Sequence, residues 1–84
     1  YARSLEEFAE LVKNVEAASL RFHLSRGDFQ TWIRDLGDPE LAMEIDGLKR
    51  LELEDDELRR SIQQTINGRL ELLKRELETA QYFR

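Results

Sequence analysis

The sequence predicts an all-α protein: a compact bundle of four short helices followed by one long C-terminal helix. Three observations predict it. Apolar residues recur at three- and four-residue intervals along most of the chain, the period of a helix face. Start and stop signals stand at Ser4, at Gly27-Asp28 and at Gly37-Asp38-Pro39. The one alternating stretch, Leu51-Glu-Leu-Glu-Asp55, has no second strand to pair with, and a lone strand is not stable. It reads as a link, anchored to the core by Leu51 or Leu53.

The first helix starts at Ser4, because Ser4-Leu-Glu-Glu7 has the form of a capping box. Leu5, Phe8, Ala9 and Val12 form its stripe, with Leu11 and Val15 at the edge. Asn14-Val15 is a weak interruption, where the helix either turns or runs on. The second helix covers about Glu16 to Ser25. Ala17, Leu20, Phe22 and Leu24 give it an apolar surface too broad for one narrow stripe, which places it centrally. Arg26-Gly27 ends it, with Gly27 free to adopt the left-handed cap conformation.

Asp28 opens the third helix, and its carboxylate is expected to accept from the amide of residue 30 or 31. Phe29, Trp32, Ile33 and Leu36 form its core face. Trp32 is expected to be largely buried beside Phe29, Leu20 and one of Phe8 or Phe22. Gly37 closes this helix. Asp38 and Pro39 open the fourth as N-cap and first residue, with Glu40 suited to the helix dipole. Leu41, Ala42, Ile45 and Leu48 continue the inward face. Glycines at 27, 37 and 47 fall ten apart, but the residues between them do not match. They punctuate short helices and do not mark a repeat.

The fifth helix runs from Asp55 or Asp56 to Tyr82. Leu58, Ile62, Ile66, Leu70, Leu73, Leu77 and Ala80 are spaced 4, 4, 4, 3, 4 and 3 along it. A helix of that length reaches about 40 Å, whereas a globule of this chain's size is roughly 25 Å wide. Part of it therefore projects or packs on something outside the chain. Leu58, Ile62 and Ile66 are expected to fold back on the short helices. Leu70, Leu73, Leu77, Ala80 and Phe83 are expected to form an interface. Gly68 marks either the boundary between the two halves or a close approach by the first helix. The chain thus reads as one helical domain over residues 1–84, with a short-helix core at 4–53 and the long helix at 54–83.

Composition narrows the function. The chain has 84 residues and no cysteine, so its core comes from helix packing, a partner, or both. A single histidine rules out the usual Cys/His zinc sites. Charged residues make up 37 % of the chain, but the helical period of the apolar ones argues against disorder. A net charge of −5 opposes general nucleic-acid binding. The basic pairs Lys49-Arg50, Arg59-Arg60 and Lys74-Arg75 are flanked by acids and read as ion-paired helix surface. No apolar run approaches a membrane span, and no secretion signal is recognisable. Lack of cysteine fits a cytoplasmic location. The chain begins with Tyr1 rather than Met, as a fragment or a trimmed piece of a longer protein would.

Residues 22–33 hold the only histidine, the only tryptophan and two of the four phenylalanines. His23 is the one side chain suited to proton transfer near neutral pH, and Asp28 follows five residues later across the turn. One reading is a His-Asp dyad beside Trp32 that holds an anion with Arg26. The other is a joint, in which His23 bonds a terminal carbonyl, Asp28 caps a helix, and Phe29 and Trp32 fill the core. The joint is favoured, because a cap, a dipole or a core position explains each residue.

The acidic clusters at Glu6-Glu7, Glu16 and Glu54-Asp55-Asp56-Glu57 lack the pattern of a calcium loop, and no Glu-x-x-His pair suggests a di-iron bundle. No metal or cofactor is expected. The serines have no Gly-x-Ser-x-Gly elbow, and phosphate-binding glycine motifs are absent. The expected function is therefore a non-enzymatic interaction module, docking on a protein partner or a second copy through the fifth helix. A small-ligand or catalytic module using His23, Arg26, Asp28 and Trp32 is the alternative.

The chain resembles an uncharacterised family of small prokaryotic, mostly archaeal, proteins. The residues that carry the resemblance are Phe22-His23, Arg26, Asp28-Phe29, Trp32-Ile33 and Gly37-Asp38 to Leu41-Ala42, with Ser19-Leu20 and Glu57-Leu58-Arg59 also in register. It covers about residues 4 to 75. Many relatives carry Asn where this chain has Gly27. The resemblance implies no activity, cofactor or catalytic residue. A second likeness is to the sterile alpha motif, a five-helix interaction module, through Trp32-Ile-Arg-Asp-Leu-Gly37, Ile45-Asp-Gly-Leu48 and the long last helix. The stretch between Gly37 and Ile45 is several residues shorter than that pattern, so the likeness is one of architecture.

Overall fold

A computed structural model describes residues 4–82, with side chains as far as residue 78. In chain order the elements are α1 (Leu5–Asn14), α2 (Ala17–Arg26), α3 (Asp28–Asp35), α4 (Pro39–Leu48), a 3-10 turn (Lys49–Leu51) and α5 (Asp55–Tyr82). No strand occurs among the described residues. The all-α class and the long last helix are as the sequence predicts.

Each junction has a local cause. The Ser4 hydroxyl accepts from the Glu7 amide at 3.2 Å and starts α1. Val15 leaves the helix in extended backbone, so the chain turns there and does not run on. Gly27 takes φ +82°, which a residue without Cβ adopts freely, and serves both as the end of α2 and as the cap of α3. Asp38 caps α4, its Oδ1 accepting from the Leu41 amide at 3.2 Å. Gly47 does not end α4, which continues through Leu48 into the 3-10 turn. Leu53, half-buried, anchors the link, while Leu51 is exposed.

The core follows one rule. Each helix buries residues four apart: Phe8 and Val12 on α1, Leu20 and Leu24 on α2, Phe29 and Ile33 on α3, Leu41 and Ile45 on α4, and Leu58, Ile62 and Ile66 on α5. One narrow line per helix meets at the centre, and Ala42 fills the gap beside Leu41. This rule corrects two expectations. Phe22 lies about 200° around the helix from Leu20, so it points outward and is 52 % exposed. Trp32 flanks the Phe29–Ile33 line and is half-buried, not enclosed. Leu36 is also half-buried, at the end of α3.

Three arginine clamps set α5 along the bundle. Arg21 of α2 reaches Asp55 at 2.5 Å and also donates to the Leu53 carbonyl. Arg59 donates to the Val12 carbonyl at 2.7 Å and so satisfies an open end group of α1. Arg69 grips Asp38 through two hydrogen bonds, at 2.5 and 2.9 Å. Arg59 therefore serves the backbone of α1 rather than an acidic neighbour, while Lys49 does pair with Asp46 at 3.0 Å. The molecule measures 46 × 22 × 22 Å. Its long axis exceeds the width of the four-helix bundle because α5 runs on past Ile66, and residues 71–78 are all exposed.

Candidate functional site

The joint between α2 and α3 brings His23, Arg26, Asp28 and Trp32 together. The single left-handed residue Gly27 folds the first turn of α3 back onto the last turn of α2. His23 Nδ1 then lies 2.7 Å from Asp28 Oδ2, and Arg26 Nε lies 3.7 Å from the same oxygen. The Arg26 guanidinium also stacks 5.0 Å over the exposed Phe22 ring. The imidazole sits among three aromatic rings, with centroids at 5.3 Å for Phe22, 5.7 Å for Phe29 and 5.9 Å for Trp32. Phe29 in turn meets Phe8 of α1 edge-on at 5.0 Å, which ties the joint to the core.

Asp28 does not cap α3 with its side chain, contrary to the expectation. Gly27 occupies the cap position and no side-chain cap bond forms. Asp28 is the first helical residue, so its carboxylate turns back to His23 and Arg26. The Thr31 hydroxyl donates to the Gly27 carbonyl at 3.0 Å, which steadies this first turn. Chemically, the joint holds an imidazole oriented by a carboxylate through Nδ1. The His23 side chain is 33 % exposed and that of Asp28 is 25 % exposed.

Sequence reasoning missed the polar ties around this joint. Gln30 is buried, and its amide donates to the Leu24 carbonyl at 3.1 Å and to Asp46 at 3.0 Å, linking α2, α3 and α4. Its Oε1 has no partner. Hydrogen bonds from Lys49 and Gln30 hold the Asp46 carboxyl below the ordinary value of 3.8. Asp38 is held below that value too, first by the Arg69 hydrogen bonds and then by the Leu41 amide, against the opposing effect of burial. A polar residue at position 30, one place from a core phenylalanine, was the signal for Gln30. Nothing in local spacing pointed from Arg69 to Asp38, 31 residues away.

The second candidate is the outer half of α5. Leu70 is half-buried against the core, so the exposed line begins at Leu73. Leu73 is 39 % exposed and Leu77 60 %. Leu72, which the expected interface did not include, is 44 % exposed on an adjoining face. Leu5, Leu36, Leu70 and Leu73 line an apolar groove where α1 begins. The Ala80 side chain and Phe83 lie outside the described residues.

Among the described residues, no group of three or more His, Asp or Glu side chains is placed to hold a metal ion. No helix among them is long and apolar enough to cross a membrane. The model of a family of unknown function, DUF5752, matches residues 1–67. No curated protein and no solved structure matches the chain. The matched stretch holds the joint and the core as far as Ile66, and it stops before Gly68 and the outer half of α5.

Proposed function

The chain belongs to DUF5752, a family of unknown function, and on that premise we propose that it is a non-enzymatic helical assembly module acting through the outer half of α5. One observation carries this reading. The apolar line that packs α5 on the bundle does not stop with the bundle. It leaves the core at Ile66 and continues through Leu70 and Leu73 to Leu77 with spacings of 4, 3 and 4, the period of paired helices. An isolated helix end gains little stability of its own, so a second helix along Leu73 and Leu77 supplies what the bundle does not reach.

The occupant we favour is a second copy of the chain, because closed two-fold pairing is the commonest way for one patch to be covered. In this reading residues 1–84 are one domain, a core of 4–53 carrying the helix of 54–83. The module uses no cofactor, metal, nucleic acid or membrane, and the lack of cysteine suits a cytoplasmic setting. Sedimentation at tens of micromolar tests it. The parent chain should be a dimer, and Leu73→Glu with Leu77→Glu should give a soluble, helical monomer. A monomeric parent whose residues 70–78 resist hydrogen exchange overturns it, and a complex with a different protein replaces the second copy.

The 2.7 Å contact between His23 and Asp28 favours a second reading, a small-ligand or catalytic module built on His23, Arg26, Asp28 and Trp32. Arg26 and the imidazole would meet an anion beside the Trp32 ring. Trp32 is the only tryptophan, so its fluorescence reports on this place alone. Titration with inorganic phosphate should change that fluorescence in the parent and not in Arg26→Gln. A flat titration in both removes this reading.

A further inference from the structure

We propose that α5 is built in two parts that meet at Gly68, and that the grip of Arg69 on Asp38 is the catch that keeps the outer part helical and in line. This rests on reading the outer part as the assembly surface, and it gives that surface a regulation.

Gly68 needs an explanation, since glycine disfavours a helix interior about fivefold relative to alanine. Two ordinary reasons for it fail. A Cβ at position 68 would meet nothing within 4 Å, so no close approach by α1 requires the gap. The glycines with positive φ are Gly27 and Gly37, so the backbone does not require it either. Its position remains. Ile66, two residues before, is the last of the described side chains of α5 in the buried core. Arg69 follows Gly68 immediately, and after half-buried Leu70 every side chain from 71 to 78 is exposed.

The inner part of α5 is therefore held once per turn, by Leu58, Ile62 and Ile66. The outer part is held at its root, by Leu70 and by the two hydrogen bonds from Arg69 to Asp38 at 2.5 and 2.9 Å. Asp38 is a fixed point: it is 7 % exposed, and its Oδ1 also accepts the Leu41 amide that starts α4. A break at Gly68 releases the root, and the outer helix opens as one unit. A partner helix on Leu73 and Leu77 needs the closed form, so the closed fraction scales its apparent affinity.

Hydrogen exchange of the free protein, at a concentration where sedimentation shows a monomer, decides it. Amides 70–78 should exchange as one group with a common opening constant, faster than amides 58–66. Asp38→Asn keeps a capping oxygen and loses the charge, and it should speed that group several-fold. Gly68→Ala should slow it about fivefold. Amides 58–66 should remain the slower group in both variants, since the inner part keeps its three core side chains. Protection that instead declines smoothly from residue 70 to residue 78, with Asp38→Asn without effect, is simple fraying and overturns the catch. If no concentration gives self-association, the second copy is lost as partner while the exchange result still decides the catch.

Discussion

His23 Nδ1 lies 2.7 Å from Asp28 Oδ2, and one residue, Gly27, carries the turn between the helices they stand on. The contact joins the last turn of α2 to the first residue of α3. Asp28 stands at the positive end of the α3 dipole, so its carboxylate answers both the helix and the imidazole. Arg26, at 3.7 Å and stacked on Phe22, closes the outer side.

Because the Asp28 side chain caps nothing, serine should not replace it. Asp28→Ala and Asp28→Ser are expected to lose similar stability, about 1.5–3 kcal/mol, the range for a hydrogen bond to a charged group. Asp28→Asn, which keeps an acceptor, should lose less. Urea unfolding of the three variants checks this. A serine variant as stable as the parent would mean that a hydroxyl at position 28 serves α3 as a cap after all.

Substitution of the aromatic residues should follow burial and not ring size. Phe29 is fully buried, and Phe29→Ala should cost about 3–5 kcal/mol, enough to unfold a small domain. Trp32→Ala, from a half-buried site, should cost about 2 kcal/mol on the scale of an apolar side chain removed from water. Phe22→Ser should stay within about 1 kcal/mol, as its ring is 52 % exposed and partnered by Arg26. Thermal melts rank the three. A Trp32 variant less stable than the Phe29 variant would place the core on the other side of α3.

Much of this was legible in the sequence, and for local reasons. Ser4, Gly27, Asp38 and Pro39 act on amides and carbonyls within a few residues, so their spacing reveals them. The buried lines of α1, α4 and α5 were legible because each is regular. Phe22 departs from expectation because its angle around α2, not its hydrophobicity, sets its burial; the Leu20–Leu24 line already fills the inward face. Asp28 departs from its expected cap because Gly27 both ends α2 and caps α3, which moves Asp28 one place inward. The ties Arg21–Asp55, Arg59–Val12 and Arg69–Asp38 span 31 to 47 residues and depend on how the helices pack. No local pattern encodes them. The grouping of His23, Arg26, Asp28 and Trp32 was legible because all four lie within ten residues of one turn.

Acid should weaken the Arg69 clamp. The Arg69 hydrogen bonds hold the Asp38 carboxyl below its ordinary value of 3.8. For a group whose pKa is lowered by folding, the stabilisation is fully present above the unfolded-state value, about 3.9. It is lost as pH falls through the folded-state value. Arg69→Gln should therefore melt below the parent at pH 7, and the gap should narrow as the pH is taken below about 4. Melting curves at pH 7 and pH 3 check this. A gap that stays the same at both would show that Arg69 acts through packing of its stem and not through the carboxylate.

The last prediction separates the two apolar faces of the outer helix. Leu73 and Leu77 continue the line of Ile66 and Leu70, whereas Leu72 sits about 100° from Leu73 and borders Arg69 and Glu44 instead. If a partner helix lies along the line that already packs α5 on its own bundle, Leu73→Glu alone should weaken assembly strongly. Leu72→Glu should leave it nearly unchanged, as a solvent-facing substitution does. Both substitutions remove a partly exposed leucine and add one negative charge, with exposures of 39 % and 44 %. Net charge and general solubility therefore cannot explain a difference between them. Sedimentation of the two variants beside the parent reads it directly. Equal loss in both would mean that the partner covers the helix from the Leu72 side as well, as a groove would and a single helix would not. Loss in Leu72→Glu alone would move the interface off the continued core line.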